Sequence, residues 1–356
     1  MSAWTRYPTI YEINTWVWLS DLEQKYGKNV DLSSVPSAEW DGIAKHGFDA
    51  VWLMGVWERS PAGTAIANCN NSLLEDFRRA LPDFRSSDNV GSPYCVRRYV
   101  VDQHFGGPNS LAIARQELAK RGMNLVLDFV PNHVAPDHPW VIEHPEYFIR
   151  GNGDDISRDS ASFIAVEGNV YACGRDPYSP AWPDVLQLNA FQPGLRQAAI
   201  DTISSIARQC DGIRCDMAML LLNAIFERTW STRAGQRPAT EYWVDAIRAV
   251  KREHPGFLFI AEAIGTWSGS FNSRDSTSAT TRNSMITWSM PTQRVYAFIC
   301  VLILLTSGSC FVLLRTTTSL ARQRHFPRKR DGPRQSQYPP SWEQDSSMKD
   351  NLKAER

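Results

Sequence analysis

Five stretches of this chain are too evenly apolar to sit at a surface, and helix-forming sequence separates each from the next. Thr9–Asn14, Ala50–Met54, Asn124–Val130 and Phe257–Ala261 are continuous apolar runs, and Gly212–Cys215 is a shorter fifth. Runs of this kind, rather than alternating ones, mark strands that are covered on both faces. Helices are predicted over Ser37–His46, Ser110–Arg121, Leu195–Gln209 and Thr240–Glu253. Their limits are set by a Pro-Ser start, by Gly47, by Gly122, by a leading Pro-Gly and by a closing His-Pro-Gly. Strand and helix in strict alternation imply βα units wound right-handed into a parallel sheet. A chain of 356 residues has room for one large α/β barrel or two ordinary domains.

Residues 134–191 break this rhythm. The segment is rich in Pro, Asp and Gly and too long for a simple βα loop. Trp140, Tyr147, Phe148, Tyr171, Tyr178 and Trp182 give it apolar surface to pack, so an ordered lobe inserted after the third strand is expected.

Composition narrows the function. With 43% hydrophobic and 11% aromatic residues the chain can bury a core. Lys and Arg number 38, as do Asp and Glu, which argues against a nucleic-acid or other polyanion partner. The balance is uneven along the chain, however. Residues 264–356 hold 13 Lys or Arg against 6 Asp or Glu, leaving 25 against 32 in the first 263. Seven cysteines, an odd number without a CxxC pair, read as free thiols. No cationic segment leads into an apolar core at the start, so no signal peptide is expected and the folded part reads as cytoplasmic.

Polar side chains gather where three strands end. LDFVPNH places Asp128, Asn132 and His133 after one strand, DGIRCDMA places Arg214 and Asp216 at the next, and FIAEA places Glu262 at a third. In a βα barrel all strand C-termini open on one face, where loops choose the residues. Arg214 and Asp216 are two apart and point the same way, so the guanidinium can hold the carboxylate. A carboxylate beside a second carboxyl kept protonated is what glycosidic-bond cleavage needs, one as nucleophile and one as acid. Singly, each residue has a plain structural explanation: an ion pair, a helix cap, a packed histidine. The ordered set is far more specific.

That set resembles glycoside hydrolase family 13, the α-amylase family, across about residues 7–263. YPTIYEINTWVW, GFDAVWLMGVW and GSPYCVRRYVVD are similar to it as well. The resemblance implies a (β/α)8 TIM barrel, incomplete here with about five strands. It implies Asp216 as nucleophile and Glu262 as general acid/base. Arg214 would support Asp216, His133 would bond the sugar, Asp128 would organise its strand end, and Tyr94 would stack on the sugar ring. Two positions depart from the pattern. Met219 and Leu220 stand where many endo-acting members carry Lys-His, which points away from long starch. Members that bind calcium use an Asn like Asn132 plus a lobe carboxylate, but Gln187 stands at that second place; calcium needs hard, charged oxygens, so no metal or other cofactor is assigned.

The family's third acid, an Asp after a His near the seventh strand, has no counterpart beyond residue 263, nor do strands six to eight. Codons can account for this. A string encoding IGTWSGSFNSRD, read one base earlier, can give YWDLEWQLQQQG, and one encoding RTTTSLAR can give ENHDEPRA, with the missing His-Asp. One base lost at codon 263 supplies both offsets, so residues 264–356 read as out-of-frame translation; a divergent C-terminus is the competing reading. Val295–Leu314 is uncharged for twenty residues, long enough to span a bilayer. The basic residues beyond it would place the catalytic part outside the cell, and that conflict favours accident over anchor.

The sequence thus predicts a retaining α-glycosidase or transglycosidase of the α-amylase type, acting on short α-glucans or α-glucosides. An oligo- or polysaccharide is the only partner implied, with a membrane entering only if 295–314 is a real helix. The chain as given, with a sheet edge unpaired and the third acid missing, is expected to aggregate and to be inactive. A non-catalytic glucan-binding remnant and a membrane-anchored protein are the alternatives.

Overall fold

The computed structural model describes residues 4–5, 8–177 and 179–263, together with backbone segments 300–303, 310–311 and 313–315. Five strands form its centre: Thr9–Asn14 (β1), Ala50–Met54 (β2), Asn124–Phe129 (β3), Gly212–Cys215 (β4) and Leu258–Ala263 (β5). Neighbours in sequence are neighbours in the sheet, and every pair is parallel.

Both faces of this sheet are apolar, and strand periodicity divides them. Ile10, Ala50, Trp52, Val126, Leu258 and Ile260 form one cluster on the inner face. Val51, Leu53, Leu125, Leu127, Ile213 and Phe259 turn the other way, into the core that also holds helix residues such as Leu118, Ile203 and Val250. This double burial is why the strands read as unbroken apolar runs. Close packing also fixes Gly212, since a Cβ there would come within 2.9 Å of the Leu258 backbone oxygen.

The helices run over Ser37–Ala44, Gly107–Lys120, Pro193–Ala207 and Tyr242–Glu253. Gly107–Lys120 starts ahead of Ser110 because Pro108 suits a first helical turn, its missing N–H being one that the helix would leave unpaired. Tyr242–Glu253 starts after Thr240 because Glu241 keeps extended backbone at the N-cap.

Two excursions leave the sheet. The expected lobe is ordered, as a four-stranded antiparallel sheet of His133–Val134, Trp182–Gln187, Asn169–Gly174 and Phe163–Val166. Val134, Val141, Phe148, Tyr171, Leu186 and Leu188 belong to its small core. Tyr178 lies outside the described residues. The other excursion, which the sequence did not announce, pairs Trp57–Arg59 with Val96–Val101 and carries helices Pro61–Cys69 and Asn71–Ala80 between them.

Five parallel strands make a partial barrel wall, not a closed one. Its two edges are extended by further strands, and the sheet stays open, with Cys310–Phe311 and Leu313–Arg315 at its outer ends. Cys300–Ile303 lies antiparallel along β5, and Leu313–Arg315 lies parallel along β1. The described backbone of the apolar run 295–314 is therefore strand, and apart from Arg315 the remainder of 264–356 lies outside the described residues. Among the described residues no helix is long and apolar enough to cross a membrane. Cys69, Cys95, Cys173, Cys210 and Cys215 are free thiols; the side chains of Cys300 and Cys310 lie outside the described residues.

Candidate active site

Parity along the strands delivers the polar residues to one place. Asp128 follows inward-facing Val126 by two, Arg214 and Asp216 follow Gly212, and Glu262 follows Ile260. All four are buried. Arg214 is the hub. Its Nη1 lies 2.6 Å from Asp216 Oδ1 and 3.7 Å from Asp128 Oδ1, and its Nη2 lies 2.5 Å from Glu262 Oε2. The guanidinium carbon stands 5.1 Å from the ring centres of both Trp52 and Tyr94. A planar fork between two aromatic rings has little freedom, so it holds two strand ends in fixed relation.

Asp128 is tied from above and beside. The Trp52 indole donates to Oδ1 at 3.2 Å, and the Gly55 N–H donates to Oδ2 at 2.8 Å. Gly55 has φ 78°, and a Cβ there would meet Pro93 Cβ at 2.7 Å, so only glycine brings that N–H to the carboxylate. Burial nevertheless pushes Asp128 up to about 7, against the pull of Arg214 and of these donors.

Glu262 is also raised. Burial is the largest cause, Arg214 opposes it, and the neighbouring Asp216 carboxyl adds to the rise. The Met217 N–H donates to Glu262 Oε2 at 3.0 Å. Met217 takes φ 44° and ψ 40°, left-handed backbone that a side chain of its size seldom adopts. That strained turn directly after Asp216 is what aims the N–H at Glu262.

His133 begins the lobe. Its Nδ1 is 3.3 Å from Asn132 Nδ2, and its ring meets Trp182 edge-on at 5.2 Å. Burial lowers its pKa to about 4, so the ring is neutral near pH 7. An amide N–H on Nδ1 makes that atom the acceptor and leaves the proton on Nε2. Tyr94 is half-buried against Arg214, so the protein already engages one side of its ring. Met219 and Leu220 are buried in a short 3-10 turn and pack into the core.

The structure thus gathers Asp128, Arg214, Asp216, Glu262 and Tyr94 around one guanidinium, with His133 at the rim where the lobe joins. A profile of the family described as "Alpha amylase, catalytic domain" matches residues 37–290. The chain belongs to the α-amylase family. The match runs past Ala263, where the character of the sequence changes. Among curated proteins of this family, the chain is similar to an α-1,4-glucan:maltose-1-phosphate maltosyltransferase of Bifidobacterium longum. They are 25% identical over 230 residues, 62% of this chain and 24% of that protein. It is similar also to a trehalose synthase/amylase of Mycobacterium tuberculosis, 27% identical over 209 residues, 53% of this chain and 33% of that protein. The chain spans a quarter to a third of the length of these two relatives. An α-amylase from H. orenii superposes with TM-score 0.50 at 17% identity, covering 75% of this chain and 50% of that one; the likeness is of fold.

Around this guanidinium, Trp52, Glu12 and the N–H groups of Gly55 and Met217 escaped the sequence reading. Trp52 was hidden in an apolar run, and the Met217 N–H is a backbone group. Glu12, two residues beyond inward-facing Ile10, is a further acid near Arg214 and Glu262, raised chiefly by burial. Its alternation with Ile10 was the available signal.

Proposed function

We propose that Asp216 and Glu262 are the nucleophile and the acid/base of a retaining α-glycosidase or transglycosidase site for short α-glucans or α-glucosides. The observation that carries this is the shared guanidinium: Arg214 holds Asp216 through Nη1 and Glu262 through Nη2. Two carboxyls so placed can work in sequence on one sugar carbon. Asp216 forms the bond to that carbon while Glu262 gives its proton to the departing oxygen. Glu262 then takes a proton from the incoming water or sugar hydroxyl as that oxygen bonds the sugar carbon and the bond to Asp216 breaks, returning the carboxylate. The upward shift of Glu262 suits the donor role. Neutral His133 is the further polar group that this reading assigns to the sugar, and Tyr94 offers an aromatic surface for a pyranose ring.

A second reading has its own support. Glu262 Oε2 accepts from both Arg214 and Met217, and both bonds favour the ionised form. A glutamate held this way suits a glucan-binding remnant that performs no catalysis. The two readings part on one experiment, with an aryl α-glucoside followed by proton NMR. The catalytic reading expects the frame-restored chain to turn it over with the α-anomer formed first. Saturable binding without turnover supports the remnant, and a β-anomer formed first overturns the retaining assignment.

The same reading extends to residues 264–356, which we take as out-of-frame sequence in place of the remaining barrel. The third acid is then absent from this chain, and removing one preorganised electrostatic group costs on the order of 10²–10³ in rate.

A further inference from the structure

Where the lobe meets the sheet, a side-chain amide sits in a nest of oxygens. Gln187 Nε2 lies 3.0 Å from the Asn132 backbone oxygen, 3.0 Å from Asn132 Oδ1 and 3.0 Å from the Leu188 oxygen. Gln187 is 0% exposed and Asn132 1%. The amide cannot be turned round. Two of its three acceptors are backbone carbonyls, and its Oε1 accepts from the Arg175 N–H at 3.3 Å and from Asn132 Nδ2 at 3.3 Å. Three converging oxygens, two from one asparagine, are the beginnings of a site for a hard cation, and the missing part is a charged ligand. Among the described residues no group of three His, Cys, Asp or Glu side chains could hold a metal ion.

We propose that the Gln187 carboxamide takes the cation's place in this chain and joins lobe to barrel without metal. A divalent ion needs the volume that Nε2 occupies and a negative ligand that Gln187 does not supply. The amide meets the same three oxygens with its two N–H groups, one of them shared between two acceptors, and adds no charge to a fully buried spot, so nothing has to be neutralised. The joint bears on the site through its neighbours. Gln187 pairs with His133 across the two strands, and it orients the Asn132 amide that faces His133 Nδ1. Gln187 is therefore a positioning residue for His133, acting through Asn132. Its metal independence holds whether or not Asp216 and Glu262 perform catalysis.

The test uses the 356-residue chain and reads thermal melting in EDTA and in calcium chloride, with terbium luminescence as a direct probe of a cation site. The wild-type chain is expected to melt at one temperature in both and to give no saturable terbium signal. Gln187→Glu turns a carboxylate onto the three oxygens, so it should melt lower in EDTA and recover in calcium by on the order of 5 °C. Gln187→Met should melt lower in both, with no recovery. In the wild-type chain, ring 15N shifts of His133 should report a protonated Nε2, and Gln187→Met should mix the two tautomers. Calcium stabilisation or saturable terbium binding by the wild-type chain overturns the proposal, even if neither variant folds. A Gln187→Glu chain that melts like wild type and ignores calcium overturns it as well.

Discussion

Nη2 of Arg214 lies 2.5 Å from Oε2 of Glu262, so one guanidinium reaches from the end of β4 to the end of β5. The same group bonds Asp216, two residues further on and just past the end of its own strand. Glu262 and Asp216 are therefore set relative to each other by a single rigid fork, not by two separate loops.

Arg214→Lys tests that arrangement. Lysine keeps the charge but offers one point, so it cannot hold both carboxyls in the same geometry. Turnover should fall by about 10²-fold or more, and melting temperature should fall too, because a buried ion pair is broken. A variant with kcat near wild type would show that the shared fork is structural only.

Much of this was legible beforehand because burial and periodicity act locally. The limits of β1, β2 and β4 follow from residues that must be covered on both faces, and parity along β3, β4 and β5 aims Asp128, Arg214 and Glu262 inward. The Trp57–Arg59 and Val96–Val101 pair was not legible, since its short strands are bulged and carry charge on the open face. The Met217 turn was hidden because it is a backbone conformation imposed by surroundings. Gln187 was seen as the lack of a carboxylate, while its role as a donor to three oxygens needed the third dimension.

Glu262→Gln should separate proton donation from nucleophilic attack. Natural α-glucosides need a protonated leaving oxygen, and their turnover should drop by on the order of 10²–10⁴-fold. Substrates whose leaving group departs as a stable anion should be spared a large part of that loss. Equal loss on both classes would remove Glu262 from the acid role.

Asp128 ties stability to pH. Its folded value of about 7 stands above the ordinary 3.8, so the folded state holds its proton more tightly than the unfolded chain does. The stability linked to that proton is complete below about pH 4 and is lost as pH rises through about 7. It amounts to on the order of 4 kcal/mol across the window. Asp128→Asn should flatten denaturant midpoints between pH 5 and pH 8 relative to wild type. His133 has the opposite sign: lowered from 6.5 to about 4, it contributes stability that is whole above about pH 6.5 and is lost as pH falls from there through about 4. An unchanged slope in Asp128→Asn would mean that another group carries the dependence.

The reading frame is open to direct inspection. Resequencing the gene over codons 263 to 290 should find one base missing near codon 263, and a frame-restored chain should run on into helix and strand with a His-Asp pair downstream. That chain should be more soluble than the 356-residue one and at least about 10²-fold faster. An intact reading frame, or a 356-residue chain that folds cooperatively and turns over substrate, would make 264–356 a genuine part of the protein.

The central claim is that Asp216 attacks the sugar. A fluorinated α-glucosyl donor with an activated leaving group slows loss of the sugar from the enzyme more than its capture, so a covalent intermediate accumulates. Peptide mass spectrometry after brief exposure, on the 356-residue chain and on its frame-restored counterpart, reads the site directly. The account predicts a glucosyl adduct on the peptide holding Asp216, lost in Asp216→Asn and retained in Tyr94→Phe. In the frame-restored chain, a donor consumed with the adduct on any other residue, or with no adduct at all, would contradict it.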